Sequence, residues 1–357
     1  LSTLLTTYLI FEAIHEKKLS LKDPIKLSEK ALALNDIEGA GTLPMEANQY
    51  TVEQLLTALL VGNSSTAALA LAEKVGGSEK SFVEKMKQKL SEWGIQSPHL
   101  INATGLNTQT ISGDPDGKGD ENQLSAYDIA VIAKHLLQDF PEVTKYTSKP
   151  TALFSNTQIE NPNLMLEGMP NYRSGVDGLR VSNSTKGGIT FAASTTQNGI
   201  HMITVVLGVE AVDGDPYARF VATSSLMNYV VRTFVSSIVV KEGDPYGKSK
   251  ATVMDGKSET VLAVAKKDFY IVEKQGSQAE PKIQFKSNQE SFRAPVKSGT
   301  NLGKLHYTDP DKIGRGYLED QEPTVDMVSG RTIEKSFFLK VWWNQFVLSL
   351  IHISEPT

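Results

Sequence analysis

The side chains that could hold metal ions or phosphate groups follow no recognised ligand spacing in this 357-residue chain, which has no cysteine. The acidic loop "SGDPDGKGDEN" at 112–122 lacks the terminal glutamate that a calcium loop needs. The segment "AEKVGGSEK" at 72–80 lacks the glycine spacing and the Lys-Ser/Thr ending of a phosphate loop. We therefore expect no metal site. The histidines fall at no metal-ligand spacing: His15, His99, His135, His201, His306 and His352.

The segment "VDGLRVSNST" at 176–185 is the most informative candidate for a functional strand. Its first four residues are typical of the lead-in to an active-site strand, but Arg180, Val181 and Ser182 form no catalytic signature by themselves. Whether the segment is a working site, a disabled site or no site depends on the elements around it.

Hydrophobic period and capping residues predict a helical first half. The pattern at 4–15 carries one charged residue, Glu12, among apolar positions, which is typical of a buried helix. Thr51 with Gln54 has capping-box spacing, and Ser125 is an N-cap with an acidic residue in the first turn. Further helices are predicted at 51–61, 65–75, 79–93, 125–137 and, with Asp215 as cap and Pro216 at the first position, 215–234.

The second half of the sequence is predicted to be mainly β structure. The run at 189–209 contains two alternating strands joined at Asn198 and Gly199, the strongest hairpin signal in the chain. We assign 1–238 to the first domain, because from 239 to 328 short β-rich runs separated by Gly, Ser and Lys turns predict a separate small β domain.

The C-terminal segment 329–347 is predicted to hold an amphipathic membrane-surface helix that begins at Arg331 and ends at Val347. It is too polar to span a bilayer. The alternative is a core helix of the β domain. The last ten residues, "LSLIHISEPT" at 348–357, are similar to a translated sequencing adapter, and we expect them to be an artefact.

Several segments, in this order, resemble the serine-type D-alanyl-D-alanine carboxypeptidases, the low-molecular-mass penicillin-binding proteins, and in particular their streptococcal members. They are "LSTLLTTYLIFEAI", "LLVGNSSTAALALAEK", "NATGLN", "SAYD", "VDGLRVSNST" with its hairpin, and "YARF", and together they cover about 1–234. The resemblance implies an α/β fold of the β-lactamase/transpeptidase type, in which helices flank an antiparallel sheet. Here the N-terminal strands are expected to be missing, and a small all-β domain and an amphipathic helix follow. The resemblance also implies no cofactor.

Members of that family use three motifs whose residue types follow from their chemistry. In Ser-x-x-Lys, one helical turn places a lysine with a lowered pKa beside the nucleophilic hydroxyl. In Ser-x-Asn, the serine relays protons and the asparagine holds the substrate amide. In Lys-Thr-Gly, the first two residues bind the substrate carboxylate, and the glycine lets the substrate approach closely.

All three motifs are substituted in this chain. Alignment of the flanks puts the motif lysine at Thr3 and the nucleophilic serine one residue before Leu1, so the N-terminus is expected to be truncated. The second motif falls at Asn63 and Ser65. Lys-Thr-Gly is replaced by Arg180, Val181 and Ser182, of which Arg180 is the best candidate for holding a carboxylate.

A shifted register does not restore the first motif. With Ser2 as nucleophile, Leu5 takes the lysine position, and the nearest lysines, Lys17 and Lys18, lie about four helical turns away. We therefore expect no intact catalytic residue.

The sequence favours a catalytically silent homologue at the extracytoplasmic face of the bacterial membrane, which binds peptidoglycan stem peptides or envelope proteins. One alternative is an active carboxypeptidase with an atypical base and an upstream serine. Another is a β-rich adhesin or structural envelope module. With a net charge of −5 and dispersed basic residues, we expect no nucleic-acid partner.

Overall fold

The computed structural model describes residues 1–41, 43, 45–113 and 116–354. Two positions of the predicted acidic loop, 114 and 115, and the final residues 355–357 lie outside this description. The chain divides into two compact units, Leu1–Arg232 and Thr233–Thr357.

The first unit combines helices with short antiparallel sheets, as the sequence predicts. Its helices are α1 (Thr3–His15), α2 (Glu29–Ala33), α3 (Val52–Leu60), α4 (Ser65–Gly76), α5 (Glu79–Glu92), α6 (Thr108–Ser112), α7 (Ala126–Asp139), α8 (Thr144–Thr147) and α9 (Ala218–Thr233). Its strands are β1 (Pro24–Lys26), β2 (Gln49–Thr51), β3 (Thr151–Phe154), β4 (Thr157–Glu160), β5 (Val176–Ser184), β6 (Gly188–Gln197) and β7 (Ile200–Val209).

The first helix is buried along nearly its whole length, which confirms the prediction from its apolar pattern. Leu5 and Ile10 are fully buried. Each buried side chain of this size stabilises the fold by roughly 1.5–3 kcal/mol. Burial on all sides gives α1 a fixed position, and with it the residues at its N-terminus.

The caps predicted at Thr51 and Ser125 are confirmed. Thr51 and Gln54 form a complete capping box at α3, and Ser125 forms one with Asp128 at α7. The start of α9 differs from the prediction. The helix begins at Ala218 rather than Pro216, because the Asp215 carboxylate accepts the Tyr217 N–H in a preceding turn.

The main sheet of the first unit has the strand order β5-β6-β7 in the described chain, and both pairs are antiparallel. The β6–β7 connection is the predicted hairpin at Asn198 and Gly199, whose φ values of +52° and +73° are typical of a tight hairpin turn. Strand β5, which carries the segment at 176–184, is an edge strand of this sheet.

The second unit is a β domain. Its strands are β8 (Phe234–Val240), β9 (Pro245–Met254), β10 (Thr260–Ala265), β11 (Phe269–Lys274), β12 (Lys282–Ser287), β13 (Phe292–Arg293), β14 (Asn301–Thr308) and β15 (Thr324–Ser329), followed by helix α10 (Phe338–Ser354). A six-stranded sheet, β12-β14-β15-β10-β9-β13, supplies most of the core, and β11 pairs with β8. We predicted a boundary after residue 238, whereas the chain divides after Arg232 because β8 pairs within the second unit.

The C-terminal segment differs from its prediction at both ends. Its helix begins at Phe338 rather than Arg331, because Ile333 is buried in the β-domain core and its N–H donates to the carbonyl of Val296 at 2.7 Å. The helix continues past Val347 to Ser354, through residues that we expected to be an artefact. None of the helices in the described ranges has the length and apolar character that a membrane span requires.

Candidate functional site

A cleft of about 430 Å³ in the first unit brings most of the predicted site residues together. Its walls are the start of α1, the α3–α4 turn, the loop before α6, and β5. Val181 takes part through its main chain, since its carbonyl accepts a hydrogen bond of 3.4 Å from the side-chain amide of Asn63. The predicted residues whose side chains line the cleft are Thr3, Asn63, Ser65, Arg180 and Ser182.

The start of α1 offers hydroxyl groups to the cleft region. Thr3 is buried, and its carbonyl accepts a hydrogen bond of 2.9 Å from the Thr7 hydroxyl. The Ser2 hydroxyl accepts a hydrogen bond of 2.9 Å from the Asn122 amide. Because a threonine hydroxyl does not titrate near neutral pH, Thr3 cannot take a proton from a neighbouring nucleophile as a lysine amine would.

The α3–α4 turn places Asn63 and Ser65 on the cleft wall. Asn63 has a φ of +58°, in the left-handed region that asparagine tolerates better than most residues. Ser65 is buried, and its N–H donates to the Ala40 carbonyl at 3.1 Å. The hydroxyl of Ser64 has a different role, since it accepts the Ala67 N–H as the N-cap of α4.

Arg180 is the only cationic side chain that lines the described part of the cleft. It is 8% exposed, and its Nη1 donates a hydrogen bond of 2.7 Å to the carbonyl oxygen of Leu59 in the last turn of α3. The partial negative charge at a helix C-terminus favours a cation there.

The charge of Arg180 is not balanced by a carboxylate. Burial lowers the pKa of its guanidinium to about 10, so it is still protonated at neutral pH. Its Nε is buried without a hydrogen-bond partner, and no described carboxylate lies within ion-pairing distance. Because a buried charge without a counterion is costly, the arrangement suits a ligand that brings an anion.

Ser182, which the resemblance aligns with the glycine of the third motif, has a main chain that two neighbouring side chains hold in place. Its carbonyl accepts hydrogen bonds from the Thr190 hydroxyl at 2.8 Å and from Arg219 Nη1 at 2.9 Å. Arg219 also donates to the Thr190 carbonyl and to the side-chain oxygen of Asn183. The segment that contains Arg219 carries part of the family resemblance, but the sequence did not predict that Arg219 holds the main chain of β5 by hydrogen bonds.

Glu121 is a second residue that the sequence analysis missed, because it lies in the acidic loop. It lines the cleft yet is only 2% exposed. Its Oε1 accepts the Lys186 N–H at 2.8 Å, and its Oε2 accepts the Thr185 N–H and the Asn107 amide, both at 3.2 Å. These bonds fix the β5–β6 turn against the helical side of the cleft.

The chemistry available to the cleft follows from these contacts. No lysine side chain lines it within the described residues, so a lysine base is absent from that lining. Across the same residues, no group of three or more His, Cys, Asp or Glu could hold a metal ion. The cleft offers hydroxyls, amides, a carboxylate that already accepts hydrogen bonds, and one buried guanidinium.

Comparison with known families assigns both units. Residues 1–211 match the family of D-alanyl-D-alanine carboxypeptidases. Residues 234–335 match the C-terminal domain of penicillin-binding protein 5.

Curated relatives and solved structures agree with these matches. The chain is 26% identical over 309 residues to D-alanyl-D-alanine carboxypeptidase DacA of Haemophilus influenzae, covering 86% of this chain and 73% of that protein. It is 26% identical over 313 residues to DacF of Bacillus subtilis, covering 85% and 73%. A crystal structure described as a peptidoglycan synthesis regulatory factor (PBP3) from Streptococcus pneumoniae is 44% identical, with a TM-score of 0.88, and the match covers 93% of this chain and 91% of that one.

Proposed function

Because this chain belongs to the D-alanyl-D-alanine carboxypeptidase family, we propose that it binds peptidoglycan stem peptides in the cleft described above but does not hydrolyse them. The observation that carries the proposal is the content of the cleft. Thr3, Asn63 and Ser65, which the resemblance aligns with the motif residues that transfer protons and hold the substrate amide, line this cleft. None of them can act as a lysine base.

Arg180 supports the binding half of the proposal. Its guanidinium is buried, charged at neutral pH and without a described carboxylate partner. A peptide that ends in D-Ala-D-Ala carries a free carboxylate, and charge-assisted hydrogen bonds to such a group are about twice as strong as neutral ones. The terminal carboxylate of an extended C-terminal segment of an envelope protein would pair with Arg180 in the same way.

The proposal also concerns where the protein acts. Peptidoglycan lies outside the cytoplasmic membrane, so we expect action at the extracytoplasmic face. We expect the α10 segment to lie at the membrane surface, because Trp342 and Trp343 are 60% and 59% exposed while Val341 is buried. Exposed aromatic residues on a partly polar helix favour an interfacial position.

Two measurements on the full gene product test the proposal. We expect no covalent labelling by a fluorescent penicillin and no D-alanine release from a pentapeptide, under conditions in which a carboxypeptidase with intact motifs shows both. We also expect saturable binding of that pentapeptide, weakened at least tenfold when its terminal carboxylate is amidated. Absence of any binding, or no effect of amidation, contradicts the binding role.

The second candidate is an active carboxypeptidase with an atypical base, whose nucleophilic serine lies upstream of residue 1. The activity named for the curated relatives favours it. A labelled band or released D-alanine would establish this candidate and overturn the silent one.

A further inference from the structure

We propose that Asn63 lowers the affinity of the cleft for extended peptides, because its side-chain amide donates a hydrogen bond to the Val181 carbonyl, a main-chain acceptor on the cleft strand β5. The inference rests on the function proposed above, in which a peptide enters this cleft.

Strand β5 is an edge strand. In the described sheet it pairs on one side only, with β6. The other edge of a terminal strand presents unpaired N–H and C=O groups, and extended peptides bind such edges by adding a strand. A peptide in the cleft therefore meets the outer edge of β5.

The pairing of Ser182 shows which main-chain groups lie on that outer edge. Ser182 pairs with Thr190 of β6, and its carbonyl accepts the Thr190 hydroxyl, so the Ser182 main chain faces β6. Main-chain groups of successive residues in an antiparallel strand alternate in direction. The groups of Val181 and Asn183 therefore face away from β6, which agrees with the bond from Asn63 to the Val181 carbonyl.

The Asn63 amide would compete with a ligand N–H for the Val181 carbonyl, and it is not the contact that attaches β5 to the rest of the unit. At 3.4 Å its hydrogen bond is long. A ligand N–H can displace it, but at a cost in affinity of about threefold to tenfold, the equivalent of a typical net hydrogen bond. Arg180 ties β5 to α3 independently through Leu59, so removing the amide frees the acceptor without detaching the strand.

The test is the substitution Asn63→Gly in the full gene product. Glycine adopts the φ of +58° at this position freely, so the backbone is retained while the amide is lost. The matched control is Asn198→Gly, which makes the same change at a φ of +52° in the exposed β6–β7 turn. Equal melting temperatures for the two variants would show that folding is preserved.

Two readouts decide the outcome. For a pentapeptide that ends in D-Ala-D-Ala, titration calorimetry should give binding about threefold to tenfold tighter in Asn63→Gly than in wild type, and unchanged in Asn198→Gly. Without ligand, the carbonyl carbon of labelled Val181 should shift upfield in its NMR resonance in Asn63→Gly alone, because it loses a hydrogen-bond donor.

The outcomes separate this inference from the proposed function. If the wild type binds the peptide and Asn63→Gly binds no more tightly, or if the Val181 resonance does not move, the role of Asn63 in lowering affinity is wrong and the binding function stands. If the wild type does not bind the peptide, the proposed function fails and this inference fails with it.

Discussion

Arg180 Nη1 donates a hydrogen bond of 2.7 Å to the carbonyl oxygen of Leu59, 121 positions earlier in the chain. The bond joins the cleft strand β5 to the last turn of α3 and holds a buried cation at the cleft wall. The Nε of Arg180 has no hydrogen-bond partner, so the guanidinium is held in place but still has a donor to offer. One arginine thus links the stability of the wall to the charge that a ligand would meet.

Arg180→Met should therefore separate binding from folding. Loss of a charge-assisted contact should weaken binding of a carboxylate-terminated peptide by roughly 10- to 100-fold. The free energy of unfolding should fall by no more than about 1–3 kcal/mol, because the buried Leu59 carbonyl loses its donor while the removal of an uncompensated buried charge offsets part of that cost. Titration calorimetry and urea unfolding measure the two effects, and Arg180→Lys, which keeps the charge, is the matched control. Unchanged affinity in Arg180→Met would rule out this cation as the carboxylate site.

Glu121→Ala should loosen the β5–β6 turn. The substitution leaves the N–H groups of Thr185 and Lys186 without their acceptor in a part-buried turn, where water can replace part of each lost hydrogen bond. We expect the free energy of unfolding to fall by about 1–2 kcal/mol in urea titrations, because a typical intramolecular hydrogen bond contributes about 0.5–1.5 kcal/mol net. Glu121→Gln, which retains one acceptor oxygen, should lose less. Equal stability of the alanine variant and wild type would contradict the support role of this carboxylate.

Ser125→Ala should destabilise the start of α7. The Ser125 hydroxyl accepts the Asp128 N–H at 3.1 Å in a capping box, and loss of such a cap costs about 1 kcal/mol. Thermal unfolding followed by circular dichroism measures the change. Ser91→Ala, an exposed position inside α5, is the control and should have an effect near zero. A control effect as large as that of Ser125→Ala would exclude the cap as the cause.

Acid should reduce the contribution of the Asp120 carboxylate to the stability of the fold. Hydrogen bonds from His99 and from the Glu121 N–H hold the pKa of the Asp120 carboxyl below its ordinary value. A carboxyl with a lowered pKa in the folded state contributes stability above its unfolded pKa and loses it as the pH falls through its folded pKa.

The melting temperature of wild type should therefore fall more steeply than that of Asp120→Asn on the acid side. Because Asp120 is exposed to solvent, the difference should shrink in high salt. Asp36→Asn, at an exposed aspartate, is the matched control and should follow wild type. Parallel acid profiles for Asp120→Asn and wild type would show that protonation of this carboxylate is not coupled to unfolding.

Substitution of Trp342 and Trp343 by alanine should weaken attachment to lipid. Both indoles are more than half exposed on α10, and burying an aromatic side chain of this kind contributes roughly 1.5–3 kcal/mol. Sedimentation with anionic vesicles should show at least about a tenfold loss of binding for the double variant. Leu153→Ala, at an exposed leucine of β3, is the control. Equal sedimentation of all three proteins would mean that the aromatic surface does not meet the membrane.

Elements whose causes are local could be predicted from the sequence. The capping boxes at Thr51 and Ser125, the buried pattern of α1, and the hairpin at Asn198 each depend on residues within one or two turns of each other, so their types and spacing are sufficient. The positions of the altered motifs in one cleft were also predictable, because well-matched flanking segments fixed their register.

The packing of distant segments determines how those residues are used. It directs Arg180 to Leu59, Asn63 to the Val181 carbonyl, and Glu121 to the β5–β6 turn, contacts that join residues 64 to 121 positions apart. It also moves the start of α10 to Phe338, because Ile333 is drawn into the β-domain core. Such contacts have no local signature, since hydrogen bonds and burial between distant segments depend on how the elements pack rather than on the periodicity of any one of them.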